Sequence, residues 1–419
     1  MNLKKKIIDN LKRSSLLTAC GYNLRKFNYH RKMMNYVHNE LEDKVLFYRG
    51  GKAYADNQRP ISLYLHEHAP DMQQVWVCSG KAEVQTLPDF VRPVIQDSTE
   101  YYVELSTAKV WVSSNIMPDG IIKKKGQLYI QTWHGDRGFK KMANDALDNE
   151  QYRKRKRVRK LVEADICDYF VTGSKMAEKN YRSAFGYKGA FLTSGCPRND
   201  CLFVIDDVRC KDIRRKLRIS DDVKIVLYAP TFRDHSKSQG YVDSNIDLVS
   251  IIKMLEAKND KQWVLLKRAH GAGSLRSQIE IENKIIDVTR YPDMADLLMI
   301  SDFLITDYSS CAPDFAITGR PILIYQDDYD RYVSKDRTLY FRMEDSPYWC
   351  ARDMEEAQKI ISSITPEAAK RNDHAILEFY GTYENGLATE AVSKVILDWI
   401  TGAKLHVNPE FENSELELV

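Results

Sequence analysis

The sequence predicts an α/β protein: two Rossmann-like lobes facing a central cleft, behind an N-terminal helical lead-in. Three observations carry this expectation. Short apolar runs bounded by Gly, Ser and Asp alternate with stretches long enough for helices. The alternation comes in two sets, separated by the charged stretch "DDVRCKDIRRKLRISDD" from Asp206 to Asp222. Each unusual polar cluster sits at the carboxyl end of a predicted strand, where open α/β sheets bind their ligands.

Residues 1 to about 40 read as a basic helix, opening "MNLKKKIIDNLKR" and continued by "MMNYVHNEL". The first lobe draws its strands from "KVLFYRG", "QQVWVCSG", "YYVELSTAKVWVSSN", "GQLYIQTW" and "CDYFVTGS". "GCPRNDCLF" (Gly195 to Phe203) forms its exit. The second lobe takes "VKIVLYAPTFRD", "QWVLLKRAHG", "KIIDVTRYP", "DFLITDYSS" and "RPILIYQDD". Its helices lie at "DLVSIIKMLEA", "DMADLLMIS" and "CAPDFAIT". The last helix, "TEAVSKVILDWITG", is long enough to cross back and brace the first lobe. The lobes then occupy residues 1–205 and 220–395, and residues 396–419 hold the end of that helix and a frayed acidic tail.

A chain of 419 residues suits two domains, and 43% hydrophobic with 29% charged residues belongs to a soluble globular protein. A net charge of +3 says little about partners, but its distribution says more. "RKRKRVRK" (Arg153 to Lys160) is either a solvated helix face or a patch for anionic lipid or a polyanionic polymer. On an anionic surface each Lys or Arg adds roughly 1 kcal/mol. Nucleic acid ranks last as a partner, because the run lacks interleaved aromatics and no nucleic-acid module accompanies it. The eight cysteines form no C-x-x-C pair and no His-rich metal spacing, so no metal site is expected. Without a secretory leader they read as reduced thiols of a cytosolic protein. No apolar run approaches the ~20 residues of a membrane span, so membrane contact is expected to be peripheral.

Four strand ends carry the chemistry. In "YIQTWHGDRGFKK" a strand ends on Trp133 and His134. An imidazole titrates near neutrality and suits proton transfer, although for an isolated motif of this kind a buried histidine hydrogen-bonded to backbone is the favoured reading. "YAPTFRD" places Thr231 and Arg233 at a second strand end, and arginine suits bidentate phosphate contacts. "LLKRAHG" supplies Lys267, Arg268 and His270, three donors able to hold a diphosphate. In "FLITDYSSCAPDFAIT" a strand runs into Asp307, Tyr308, Ser309 and Ser310 at a helix start. Hydroxyls and free N–H groups there make an anion site, or Ser309 is an N-cap. Asp314, one turn further, suits ribose hydroxyls, or is simply a solvated helix residue, the commoner fate of an isolated acid. Several phosphate-competent strand ends in one lobe point to a phosphorylated substrate.

The segments "QTWHGDRGFKK", "YRSAFGYKGAFLTSGCPRND", "VLYAPTFRD" and "ITDYSSCAPDFAITGRPILIY", in this order, resemble motifs of the CDP-glycerol glycerophosphotransferases, the teichoic-acid and capsule polymerases and primases. The resemblance covers roughly residues 100 to 335. It implies a GT-B fold with the donor, CDP-glycerol or CDP-ribitol, mainly on the C-terminal lobe. An acceptor hydroxyl, on a lipid-linked or polymeric glycan, attacks the phosphorus bearing the polyol, and CMP leaves. By motif, His134 corresponds to the general base and His270 to a second histidine on the diphosphate. Arg233, Ser309 and Ser310 correspond to phosphate contacts, and Asp314 to a ribose contact. The family also attaches to the inner membrane leaflet through basic surface, which suits Arg153 to Lys160.

Two departures stand out. The family's W-H-G-T-P-L-K reads here Trp133-His134-Gly135-Asp136-Arg137-Gly138-Phe139-Lys140, so Asp136 and Arg137 stand where acceptor or polyol is expected. The usual K-x-H-P has become Lys267-Arg268-Ala269-His270-Gly271. No clustered carboxylates of the Mg²⁺-holding kind are visible, and a divalent ion carried by the donor's diphosphate stays open. Two other functions compete: a GT-B glycosyltransferase using a nucleotide-sugar donor, and a non-catalytic scaffold binding anionic lipid or polymer through the basic run.

Overall fold

The computed structural model describes residues 15–49, 54–149, 161–204, 206–231, 233, 244–268 and 284–403. The apolar runs become strands covered on both faces, as parallel sheets require. In β1 (Glu42–Tyr48), Val45 and Phe47 enter one core while Leu46 and Tyr48 enter the other. With β2 (Gln73–Cys78), β3 (Val91–Ile95), β4 (Ala108–Ser113), β5 (Leu128–Gln131), β6 (Tyr169–Val171) and β7 (Ala190–Leu192) it forms a parallel sheet ordered β3-β2-β1-β4-β5-β6-β7.

The second sheet is built from β8 (Lys224–Ala229), β9 (Trp263–Lys267), β10 (Ile285–Asp287), β11 (Phe303–Thr306), β12 (Ile322–Tyr325) and β13 (Cys350–Ala351). It is also parallel, in the order β10-β9-β8-β11-β12-β13. Both sheets are doubly wound, and each reverses strand order once: between β1 and β4, and between β8 and β11. Crevices at such reversals, beyond the carboxyl strand ends, are the ligand sites of this architecture.

Apolar packing and backbone pairing join the lobes at two places. Phe139, in the turn after β5, inserts into the second lobe's core against Phe341 and Tyr348, and Lys140 pairs with Leu339 in an antiparallel bridge. The last helix, Ala388–Thr401, returns to the first sheet. Its Val392, Val395, Ile396 and Ile400 share a core with Val45, Phe47 and Val110, and Lys109 Nζ donates to the Ile400 carbonyl at 2.6 Å.

Several expectations change. "YYVELST" is not strand but the helix Thr99–Thr107, capped by Ser98, whose side chain accepts the Tyr101 N–H at 3.1 Å. The β-prone tyrosines and valine are overridden by that cap and by burial of one helix face. The lead-in helix is described over Ser15–Met34 and gives way to turns after it. β3, β7 and β13 were not foreseen. β3 carries Pro93, which an edge strand tolerates because its outer N–H groups have no ladder partner. The basic run Arg153 to Lys160 and the acidic tail lie outside the described residues. Among the described residues seven cysteines are free thiols, and no helix is long and apolar enough to cross a membrane.

Candidate active site

One wall of the cleft begins where β5 ends. Trp133 has a φ of 51°, in the left-handed region that a bulky side chain rarely enters. Its N–H donates to Gln131 Oε1 at 2.9 Å, and its ring packs edge-on against Phe185 at 4.8 Å. This bend turns His134 outward, with its ring exposed to the cleft. His134 Nδ1 lies 2.7 Å from the Ser114 carbonyl oxygen. A carbonyl can only accept, so Nδ1 carries the hydrogen and Nε2 the lone pair of the neutral ring.

The facing wall comes from the switch point of the second sheet, with Thr231 after β8 and Ser309 and Ser310 after β11. These residues, with Trp133, His134, Gly135 and Lys140, line a cleft of about 360 Å³. The walls come close: a Cβ on Gly135 would stand 3.1 Å from Ser310 Oγ, so glycine is what lets the two motifs approach. Ser309 Oγ accepts the Cys311 N–H at 3.3 Å, a local cap at the helix start.

Beneath Thr231 the floor is ionic. Asp307 Oδ1 accepts both the N–H and the hydroxyl of Thr231 at 2.8 Å. Arg233 Nη1 donates to Asp307 Oδ2 at 2.7 Å, while Nε and Nη2 grip Asp328 at 2.8 and 3.0 Å. Its guanidinium covers the stacked rings of Tyr308 and Tyr332. Burial opposes the Arg233 charge, and the two carboxylates outweigh burial. Asp307 and Arg233 therefore support Thr231 from below.

Asp136, Arg137 and Asp314 do not line the cleft. They are buried in a second ionic hub at the junction of the lobes. Arg137 Nη2 donates to Asp314 Oδ1 at 2.9 Å and to Glu384 Oε1 at 2.7 Å. Arg198 Nη2 holds Asp314 Oδ2 at 2.9 Å, and its Nη1 holds Asp56 Oδ1 at 3.1 Å. Asn199 Nδ2 bridges Asp314 and Glu384 at 3.0 and 2.7 Å. Asp136 accepts from Thr172 and Tyr181. Burial raises the Glu384 carboxyl to about 7 against the pull of Arg137, whereas Arg198 and Arg49 overcome burial at Asp56 and hold it at about 2. The departure from the family's T-P pattern thus points inward, away from the cleft.

Lys267 closes β9. Arg268 follows it with its N–H on the Tyr228 carbonyl at 2.9 Å, and its side chain is sunk near Asp293, Arg49 and Asp56 with Nη1 unbonded. His270 lies outside the described residues. Sequence reasoning passed over Asp56, Asn57, Arg198 and Glu384. Only Arg198 carries a signal in the sequence, inside "GCPRND", which marks the exit of the first lobe and ends one of the resemblance motifs but does not by itself reveal a hub. Among the described residues no group of three or more His, Cys, Asp and Glu side chains is arranged to hold a metal ion.

Several proteins similar to this chain are described as teichoic acid polymerases. The chain is 30% identical over 395 residues to the teichoic acid poly(glycerol phosphate) polymerase of Staphylococcus epidermidis, covering 89% of this chain but only 53% of that protein. It is 31% identical over 365 residues to the polymerase of the same description from Bacillus spizizenii, covering 83% and 90%. The solved structure of the wall teichoic acid polymerase TagF superposes with a TM-score of 0.75 at 27% identity, over 92% of this chain and 98% of that one. The two lobes thus have the GT-B-like arrangement expected from the motifs. Residues 30–398, most of the chain, match the model of one family, and the chain belongs to the CDP-glycerol:poly(glycerophosphate) glycerophosphotransferases.

Proposed function

We propose that this protein transfers a polyol phosphate, glycerol phosphate or ribitol phosphate, from a CDP-polyol to an acceptor hydroxyl of a growing teichoic-acid-type polymer, releasing CMP. One observation carries the reading. His134, its Nδ1 hydrogen committed to Ser114, faces Ser309 and Ser310 across a cleft at the switch point of the donor lobe.

In this reading the acceptor O–H gives its proton to His134 Nε2 as the oxygen attacks the phosphorus bearing the polyol. The new P–O bond replaces the bond to the bridging oxygen, and CMP departs with the electron pair. General-base help of this kind contributes about 10²–10⁴-fold. The Ser309 and Ser310 hydroxyls bind the donor's phosphates, Thr231 shapes the cleft floor beside them with its own hydroxyl hydrogen given to Asp307, and Arg268, Lys267 and His270 offset charge developing on the diphosphate. Asp307 and Arg233 fix Thr231. Asp136, Arg137 and Asp314 hold the two lobes in register instead of touching substrate. Attachment to an anionic inner membrane surface rests on the basic run at Arg153 to Lys160. A lipid-linked acceptor fits that attachment.

The experiment is CMP release by the purified protein offered CDP-glycerol and CDP-ribitol in turn, with an oligomeric polyol-phosphate acceptor. Acceptor-dependent CMP from one donor, reduced at least a hundredfold in a folded His134→Ala variant, is expected. CMP release undiminished in that variant would overturn the role of His134, and UDP release from a UDP-sugar would overturn the donor. Replacing the basic run by glutamine should abolish sedimentation with anionic vesicles.

A further inference from the structure

We infer that Asn57 is a positioning residue for His134: it holds the left-handed backbone of Trp133 that aims the base into the cleft. This rests on the reading of His134 as general base. Asn57 is fully buried. Its Nδ2 donates to the carbonyl oxygens of Thr132 and Trp133, both at 3.1 Å, and its Oδ1 accepts the Arg198 N–H at 3.1 Å. Two partners that can only accept and one that can only donate fix the orientation of the amide.

The geometry explains why such a clamp is needed. A tryptophan at φ 51° persists only where its surroundings over-determine it. Gln131 restrains the N–H side of that residue at 2.9 Å, and Asn57 restrains the carbonyl side and the peptide before it. The next peptide bond leads to His134, so the direction of the ring, and its 2.7 Å bond to Ser114, follow from the Trp133 conformation. Asn57 is itself held rigidly. Asp56 Oδ1 accepts its N–H at 2.9 Å, and the Gln58 side chain donates to the carbonyls of Tyr48 and Val112 at the first sheet's switch point. Through the Arg198 backbone it also meets the residue whose guanidinium holds Asp314 in the other lobe. Asn57 therefore ties the aim of the base to the junction of the lobes.

The test is a double-mutant cycle on the full chain, with kcat and donor KM read from CMP release. Asn57→Ala is expected to lower kcat by about 10²-fold, the effect of a misplaced reacting group, with donor KM within about threefold and CMP affinity unchanged. In a Trp133→Gly background the same substitution should cost no more than about threefold, because glycine adopts a positive φ without support. An equal loss in both backgrounds, or a loss confined to KM, would overturn the inference. Asn57→Ser, which keeps one donor, should give an intermediate loss and serves if the alanine variant melts early. If the unmodified protein releases no CMP, the proposed function has failed and not this clamp. The clamp is then read from ¹⁵N spectra of the His134 ring: the Nδ1–H tautomer should dominate in the parent and be lost in Asn57→Ala, and an unchanged tautomer would refute the inference.

Discussion

Arg137 Nη2 lies 2.9 Å from Asp314 Oδ1, so a buried ion pair joins the turn that bears His134 to the helix that follows β11 in the other lobe. Neither residue is reachable from the cleft. Glu384 and Arg198 extend the pair into a hub that draws on the first lobe, the loop leaving it and the segment returning from the second. The relative placement of His134 and Ser310 is inherited from this junction, since Arg137 is three residues from one and Asp314 four from the other.

Asp314→Ala should therefore act on stability before chemistry. Removing it leaves two buried guanidinium groups with one strong carboxylate partner each, Glu384 for Arg137 and Asp56 for Arg198, and the loss is expected to approach that of a broken buried pair, about 3–5 kcal/mol. Urea unfolding at pH 7 measures this. A folded variant of parental stability that has lost only donor affinity would instead put Asp314 on the substrate.

Arg233→Lys discriminates in the same way for the cleft floor. Lysine keeps the charge but cannot fork onto Asp328 while reaching Asp307, and it loses the planar contact over Tyr308 and Tyr332. The expected loss is about 1.5–3 kcal/mol in stability, the scale of hydrogen bonds to charged groups, with a smaller change in donor KM. A raised KM at unchanged melting temperature would restore a direct phosphate contact.

Gly195→Ala tests the packing around the hub. Gly195 has a φ of 91°, and a Cβ there would stand 2.6 Å from Glu384 Oε2 and 3.2 Å from Glu384 Cα. Backbone strain alone is worth about 1–3 kcal/mol. Gly402→Ala is the control, with a φ of 71° and nothing within 4 Å of the added carbon. The Gly195 variant should melt lower than the control, and equal melting would mean that Glu384 gives way freely.

The strands were legible because both faces of each sheet are covered, which leaves continuous runs such as Val45 to Tyr48 and Ile225 to Ala229. Thr99–Thr107 was misread because Tyr, Tyr, Val and Thr favour strands, while the deciding cap at Ser98 is a single residue. The two cleft walls were legible because polar groups at strand ends stand out against apolar runs. The hub was not. Arg137 meets partners 177 and 247 residues away, and nothing local distinguishes an arginine that will be buried from one that will stay in solvent. Asn57 was invisible for the same reason: its work is done on backbone carbonyls 75 and 76 residues on.

Asp373, on the helix Pro366–Tyr380, gives the protein a pH dependence unrelated to catalysis. Its carboxyl is 2% exposed, and neither oxygen has a hydrogen-bond partner. Burial raises it to about 8 from an ordinary value of 3.8, and Arg320 offsets only part of that rise. The sign follows from proton linkage. Between pH 4 and pH 8 the folded chain keeps a proton that the unfolded chain has released, so this group's contribution is fully present below pH 4 and is lost as pH rises toward 8. The slope approaches about 1.4 kcal/mol per pH unit, and the total is a few kcal/mol. Asp373→Asn removes the titration and keeps the shape. It should change stability little at pH 4.5 and raise it at pH 8.5, as read from urea midpoints. A difference between the two proteins that is the same at both pH values would show that the Asp373 carboxyl is not the group that titrates.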